Sequence, residues 1–382
     1  MKMRHLLWLP VCCLLLCACG GAQQQNNTLQ KGEMAFETIE WQEEPDQTFQ
    51  QLVSDIRYVP LESTPESFLT DIVKVLVRGD EIYVIDREDA APRYGGIRVF
   101  GTDGRYRRHI GREGKGPGEL LNLTDFTIRD SLLFAVDTKS DKLVVYTLAG
   151  DFVEQLPVPE SAIASCAACN DGLLWSGDIY YKEIPQDRYG LYRTDDRGNL
   201  LWKAKLYGEQ ATRALIAESS DSLFVWRKEC CDSIYLYDRR GEVVGGIRFN
   251  FPEKYRIPYD QRLEVKSKSH REDFGYYEFD MPLVVGPYLL GLVSQPQDDW
   301  INVAADRRTG KVYIDDNDHN LIRARVMGGY ALSDSTFVTW ITPDSEAVLA
   351  KKNPEAAAAL PDDVRQRIDD GDCVLVFYTL KL

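Results

Sequence analysis

Asp130-Ser131-Leu132-Leu133-Phe134-Ala135-Val136-Asp137, then Lys142-Leu143-Val144-Val145-Tyr146, then Ala149-Gly150-Asp151-Phe152-Val153: this run carries the architecture of the chain. Aromatic and β-branched residues fill its two apolar segments, as pleated, half-buried strands prefer. Each segment is too short for a helix and shows no helical period. The polar breaks hold turn residues, and Gly150 sits where a hairpin needs positive φ. The run therefore reads as consecutive antiparallel strands.

The same pattern recurs along the chain. One copy is Asp80 to Asp86, Ile97 to Phe100 and Asp103-Gly104-Arg105-Tyr106; another is Asp171 to Asp178, Tyr189 to Tyr192 and Arg197 to Leu201. A further copy runs from Asp221 to Trp226, Ser233 to Tyr237 and Arg240 to Val244. Weaker copies lie at Leu289 to Val293 with Trp300 to Ala304, and at Tyr330 to Trp340. Three or four short strands repeated every ~40–50 residues are the mark of propeller blades. Six copies use up the chain, so the two or three domains that ~150 residues per domain would suggest for 382 residues are not needed. The expected fold is all-β, a six-bladed β-propeller over 37–382, with insertions at about 249–287 and 343–371. The second insertion, rich in Ala, Lys and Asp with Pro354 and Pro361, reads as short helices.

Composition narrows the function classes. A chain 44% hydrophobic can bury a large core, which excludes general disorder. Its formal net charge of -15 disfavours nucleic acid, since phosphate neutralisation needs a basic face.

The N-terminus reads as an address. Lys2, Arg4 and His5 precede a short apolar run, Leu6 to Leu16, and then Leu16-Cys17-Ala18-Cys19. Residues 1–18 have the pattern of a lipoprotein signal peptide, with Cys19 as the acylated residue and membrane attachment through that lipid. Residues 19–36 read as the lipidated cysteine and a polar, flexible tether. The stretch after Cys19 lacks an acidic patch. This favours the periplasmic face of the outer membrane over the cell surface.

Taken together these segments resemble six-bladed β-propeller lipoproteins with NHL-like (TolB-like) repeats, found in Gram-negative bacteria. The residues that carry the resemblance are Ile56-Arg57-Tyr58-Val59-Pro60-Leu61-Glu62, Ile110-Gly111-Arg112-Glu113-Gly114-Lys115-Gly116-Pro117-Gly118-Glu119, and Asp372 to Tyr378. The resemblance implies that the strand at Ile56–Leu61 pairs with the last blade and closes the ring.

Candidate sites are few. Gly111 to Glu119 lacks the P-loop spacing and contains Pro117, so it reads as a rigid crossover, with Arg112 and Lys115 as candidate ligand contacts at the rim. His270 and Arg271 end the most basic cluster, Lys266 to Arg271, and are candidate ligand contacts too. Asp86, Asp137 and Asp178 recur at second-strand ends: either they bind a cation such as Ca²⁺, or each caps the backbone of a neighbouring turn. Cys166-Ala-Ala-Cys169 has redox or zinc spacing but stands on an inner strand, and Cys230-Cys231 suits a vicinal disulfide or no bond. His109, His270 and His319 lack any nucleophile-elbow or HExxH context.

The expectation is a non-catalytic, lipid-anchored binding or interaction module of the bacterial envelope. Its ligand class is open among a small molecule, glycan, peptide or envelope protein, and no cofactor is expected. The competing expectation is a Ca²⁺-dependent hydrolase (lactonase-like) or lyase working in the central channel.

Overall fold

The computed structural model describes residues 35–43, 47–86, 96–159, 163–177, 189–204, 214–219, 223–228, 230–258, 275–295, 299–315, 329–352, 354 and 358–382. Six antiparallel sheets form the blades of a β-propeller. From the inner strand outward, blade one is Ile72–Arg78, Glu81–Asp86, Ile97–Gly101 and Tyr106–Ile110. Blade two is Leu123–Arg129, Leu132–Asp137, Lys142–Thr147 and Phe152–Pro157; blade three is Ile163–Cys169, Gly172–Gly177, Leu191–Thr194 and Leu200–Ala204. Blade four is Ala214–Glu218, Leu223–Lys228, Ser233–Asp238 and Val243–Asn250; blade five is Glu278–Val285, Tyr288–Gln295, Asp299–Asp306 and Val312–Asp315. Blade six is Tyr330–Ala331, Thr336–Ile341 and Val374–Leu380, and its outer strand is Val53–Pro60 from the N-terminal side.

That last pairing closes the ring, with Val59 opposite Leu375 and Arg57 opposite Phe377. The carbonyl of Pro60 then passes against the next blade's outer turn. A Cβ on Gly104 (φ 82°) would lie 2.0 Å from that oxygen, so only glycine fits.

The sheets pack face to face, and both faces of most strands are covered. Leu132–Asp137 is buried at every position but the first, and Gly172–Gly177 throughout. This is why the strands read as short apolar runs and not as a polar–apolar alternation.

Two features differ from the expectation. Phe36, placed at the end of the tether, begins a strand, Phe36–Glu40, which adds in parallel to the outer strand of blade four. From there the chain runs past blade five, where Ile314 N–H donates to the Gln47 carbonyl, to reach Val53. Ile39, Phe49 and Leu52 are buried along this strap, with Trp41 almost so. Second, the insertion between blades four and five is shorter than 249–287. Phe249 and Asn250 complete an outer strand, and Glu278–Val285 is an inner strand whose pattern is broken by a bulge at Met281 (φ 48°) and Pro282. The second insertion carries short helices, as expected; among the described residues they include Pro343–Lys352 and Asp362–Asp369. Pro361 is the N-cap residue of the latter, as its sequence position suggests, and Pro354 is itself helical. Val364 and Ile368, one turn apart, bury that helix against blades five and six. Among the described residues no helix is long and apolar enough to cross a membrane.

Candidate functional site

The ring brings the inner strands together on one axis, so side chains at matching strand positions meet. Lys74, Asp125 and Ser165 are the third residues of three successive inner strands, each next to a bulge. Each passes a hydrogen bond to the following blade. Lys74 Nζ donates to Asp125 Oδ1 at 2.6 Å, Cys166 N–H to Asp125 Oδ2 at 2.7 Å, and Ile216 N–H to Ser165 Oγ at 3.1 Å. Two residues further on, Thr127 accepts from Ala168 N–H and donates to Glu218 Oε1 at 2.6 Å. Burial works against the Lys74 charge, but Asp125, Cys166 and Glu218 outweigh it and raise its pKa. Burial pushes the Asp125 carboxyl up, opposed by Lys74.

Antiparallel order puts the inner–second turns on one face of the ring. There Arg78 ends the inner strand of blade one, and its guanidinium donates to the Tyr330 hydroxyl of blade six. Arg78 and Arg239 each lie 3.5 Å from Glu218 Oε2. Arg239, from a turn of blade four, also donates to the Ala168 carbonyl at 3.3 Å and stacks over Phe224. Five blades thus contribute to one axial cluster, reached by solvent through Arg78 and Arg239, whose side chains are 31% and 26% exposed.

The residues singled out in the sequence lie elsewhere. Asp86 accepts from Thr70 N–H at 3.0 Å and Asp71 N–H at 2.6 Å. Asp137 accepts from Leu121, Asn122, Lys139 and Ser140 N–H. Both carboxylates therefore cap the start of their own blade's inner strand, and the structure does not bring them together. Asp178 lies outside the described residues, as do Cys19, His270, Arg271 and His319. Among the described residues no group of three His, Cys, Asp or Glu is placed to hold a metal ion.

In the crossover, Arg112 pairs with Glu119 at 3.2 Å, and Gly116 N–H donates to Glu119 Oε2 at 2.8 Å. The loop's own carboxylate fills the place a phosphate would take. Arg112 and Lys115 remain exposed at its rim. Cys166 and Cys169 are free and buried in different inter-blade cores, because an odd spacing in a strand points them to opposite faces. Burial pushes both thiols up, Cys169 to about 11. Cys230 and Cys231 are unbridged. His109 is held against Gly96, and burial followed by the Arg98 charge lowers its pKa.

Sequence reasoning missed Lys74, Arg78, Asp125, Thr127, Glu218, Arg239 and Tyr330. The usable signal was a lysine and an aspartate at the third position of two inner strands, Ile72–Arg78 and Leu123–Arg129.

Comparison with known proteins fits this picture. An exported protein of Bacteroides fragilis NCTC 9343 superposes with a TM-score of 0.70 at 16% identity, over 90% of this chain and 100% of that one. A member of the DUF4221 family from Bacteroides vulgatus ATCC 8482 superposes with a TM-score of 0.53 at 9% identity, over 86% of this chain and 97% of that one. At such identities the likeness shows the fold alone. No curated protein matches. One family model, described as "Domain of unknown function (DUF4934)", matches residues 36–370, from the strap strand to the second helix, and the chain belongs to that family.

Proposed function

We propose that the protein is a non-catalytic, lipid-anchored propeller that serves as a binding or interaction module of the bacterial envelope. The observation that carries this reading is how the axial carboxylates are used. Asp125 is held by Lys74 and two backbone N–H groups, and Glu218 by Thr127 and two arginines. A Ca²⁺ site in the channel would need several carboxylate and amide oxygens free to converge on one ion. Cations of the chain stand there instead, which disfavours the hydrolase reading. The lipobox at Leu16-Cys17-Ala18-Cys19 and the polar stretch that follows supply the anchor. The exported character of the Bacteroides fragilis relative is consistent with it. The missing acidic patch after Cys19 favours the periplasmic face of the outer membrane over the cell surface.

Fractionation of cells expressing the full chain and its Cys19→Ala variant tests the anchor. The wild type should sediment with outer membranes and the variant should become soluble. A variant that still partitions with membranes sinks the anchor. Stoichiometric divalent metal in the purified protein would count against a non-catalytic module.

A further inference from the structure

The arginines on the turn-bearing face are not all used alike. Arg129 donates to the Cys169 and Gly172 carbonyls at 3.0 and 3.2 Å and pairs with Asp196. Arg193 donates to the Thr194 and Arg240 carbonyls and pairs with Asp171. These two guanidinium groups tie neighbouring blades through three polar partners each.

Arg78 and Arg239 are held more loosely across the blades: Arg78 donates to the adjacent Val77 carbonyl at 3.0 Å and to the Tyr330 hydroxyl. Both approach Glu218 Oε2 only to 3.5 Å, well beyond the ~2.7–2.9 Å of a charge-assisted hydrogen bond. That oxygen is buried and accepts no hydrogen bond, although two cations flank it. Arg239 makes a single long bond, to the Ala168 carbonyl at 3.3 Å, and leaves most of its fork unused. The Tyr330 hydroxyl accepts from Arg78, so its own proton is left to donate. Two guanidinium groups thus face one carboxylate, a local positive excess in a chain of net charge -15. The cluster meets solvent through the partly exposed side chains of Arg78 and Arg239.

We propose that this mouth binds a small oxyanion group, a carboxylate or a phosphate, gripped by the forks of Arg78 and Arg239 and by the Tyr330 hydroxyl. Planar guanidinium forks match both groups in a bidentate manner. Glu218 acts as the internal competitor: its carboxylate repels the incoming anion while it holds the two arginines in place. The proposal rests on the reading of the protein as a binding module and gives that module its ligand chemistry.

Titration calorimetry of the full-length chain at constant ionic strength in chloride tests it, with inorganic phosphate in one arm and acetate in the other. Saturable binding in either arm is expected, and the arm names the group. Arg239→Ala should weaken binding at least tenfold, and Glu218→Gln should tighten it about tenfold. The amide that replaces the carboxylate keeps an acceptor for Thr127 and drops the like charge. If Arg239→Ala does not fold, Arg239→Lys replaces it, and loss of the fork should still weaken binding several-fold. A cluster that only glues blades together predicts the reverse pattern: no saturable binding in either arm, or affinities indifferent to these substitutions. Either result overturns the proposal. With the membrane partitioning of the wild type and Cys19→Ala intact, such a result would end the oxyanion site alone and leave the module reading standing.

Discussion

At the residue scale, the ionisable groups divide between caps, blade-to-blade ties and the axial cluster. Asp86 and Asp137 were legible as caps because their place, at a strand end before a loop, is local information. The axial cluster was not legible. Its members come from distant parts of the chain, Arg78 and Tyr330 being 252 positions apart, and only ring closure brings them together. One rim cluster has a measurable pH signature. Arg108 grips both oxygens of Glu81 at 2.6 and 2.7 Å, and Tyr83 and Arg107 also donate to it. These bonds hold the Glu81 carboxyl down at about 2. A depressed carboxyl stabilises the fold at pH values above its unfolded pKa, and the contribution fades as pH falls toward the folded value. Glu81→Gln should therefore cost about 1–2 kcal/mol at pH 7, after allowance for solvent screening. The gap between wild type and variant should shrink steadily between about pH 4.5 and pH 2. Paired thermal melts across that range check it, and two parallel curves would refute it.

At the element scale, strands that pair with sequence neighbours were readable and the strap was not. Hairpin turns such as Asp103-Gly104 announce the local pairings, and positive φ at Gly104, Gly150, Gly198, Gly241 and Gly310 matches those announcements. Phe36–Glu40 pairs with a strand some 200 residues away, and five residues with a single fully buried side chain carry little pattern. Glu278–Val285 was hidden by a different cause: Pro282 reads as a strand breaker, and the bulge before it shifts the alternation by one face. The strap is held in place by apolar anchors. Phe49 is buried between blades five and six and meets Phe337 edge-on at 6.3 Å. Phe49→Ala removes an aromatic ring from the core between blades five and six, and should cost about 3–4 kcal/mol. Urea unfolding measures this directly. A loss under about 1 kcal/mol would mean that the strap is a loose decoration and not part of the core.

At the scale of the whole molecule, closure is the property on which everything else depends. Each blade buries both faces only because the next blade is there, and the axial cluster exists only when the first and last blades meet. Val53–Pro60 carries the chain from the last blade into the first, and it also covers the edge of Val374–Leu380. A chain shortened to begin at Phe49 lacks the strap strand on blade four but keeps the closing strand. It should melt in one cooperative transition, lowered by roughly 5–10 °C, since a loss of ~1 kcal/mol shifts a protein of this size by only a few degrees. A chain shortened to begin at Leu61 removes the closing strand itself. The edge of Val374–Leu380 is then unpaired and apolar, a template for pairing with other chains. Its transition should be broad, begin far below that of the Phe49 chain, and be accompanied by higher-order species in sedimentation. The blades would then come apart in sequence from the open ends, as in linear repeat arrays where each unit is held only by its neighbours. If the Leu61 chain instead melts sharply at the temperature of the Phe49 chain, the ring is held by packing between blades alone, and the closing strand is dispensable.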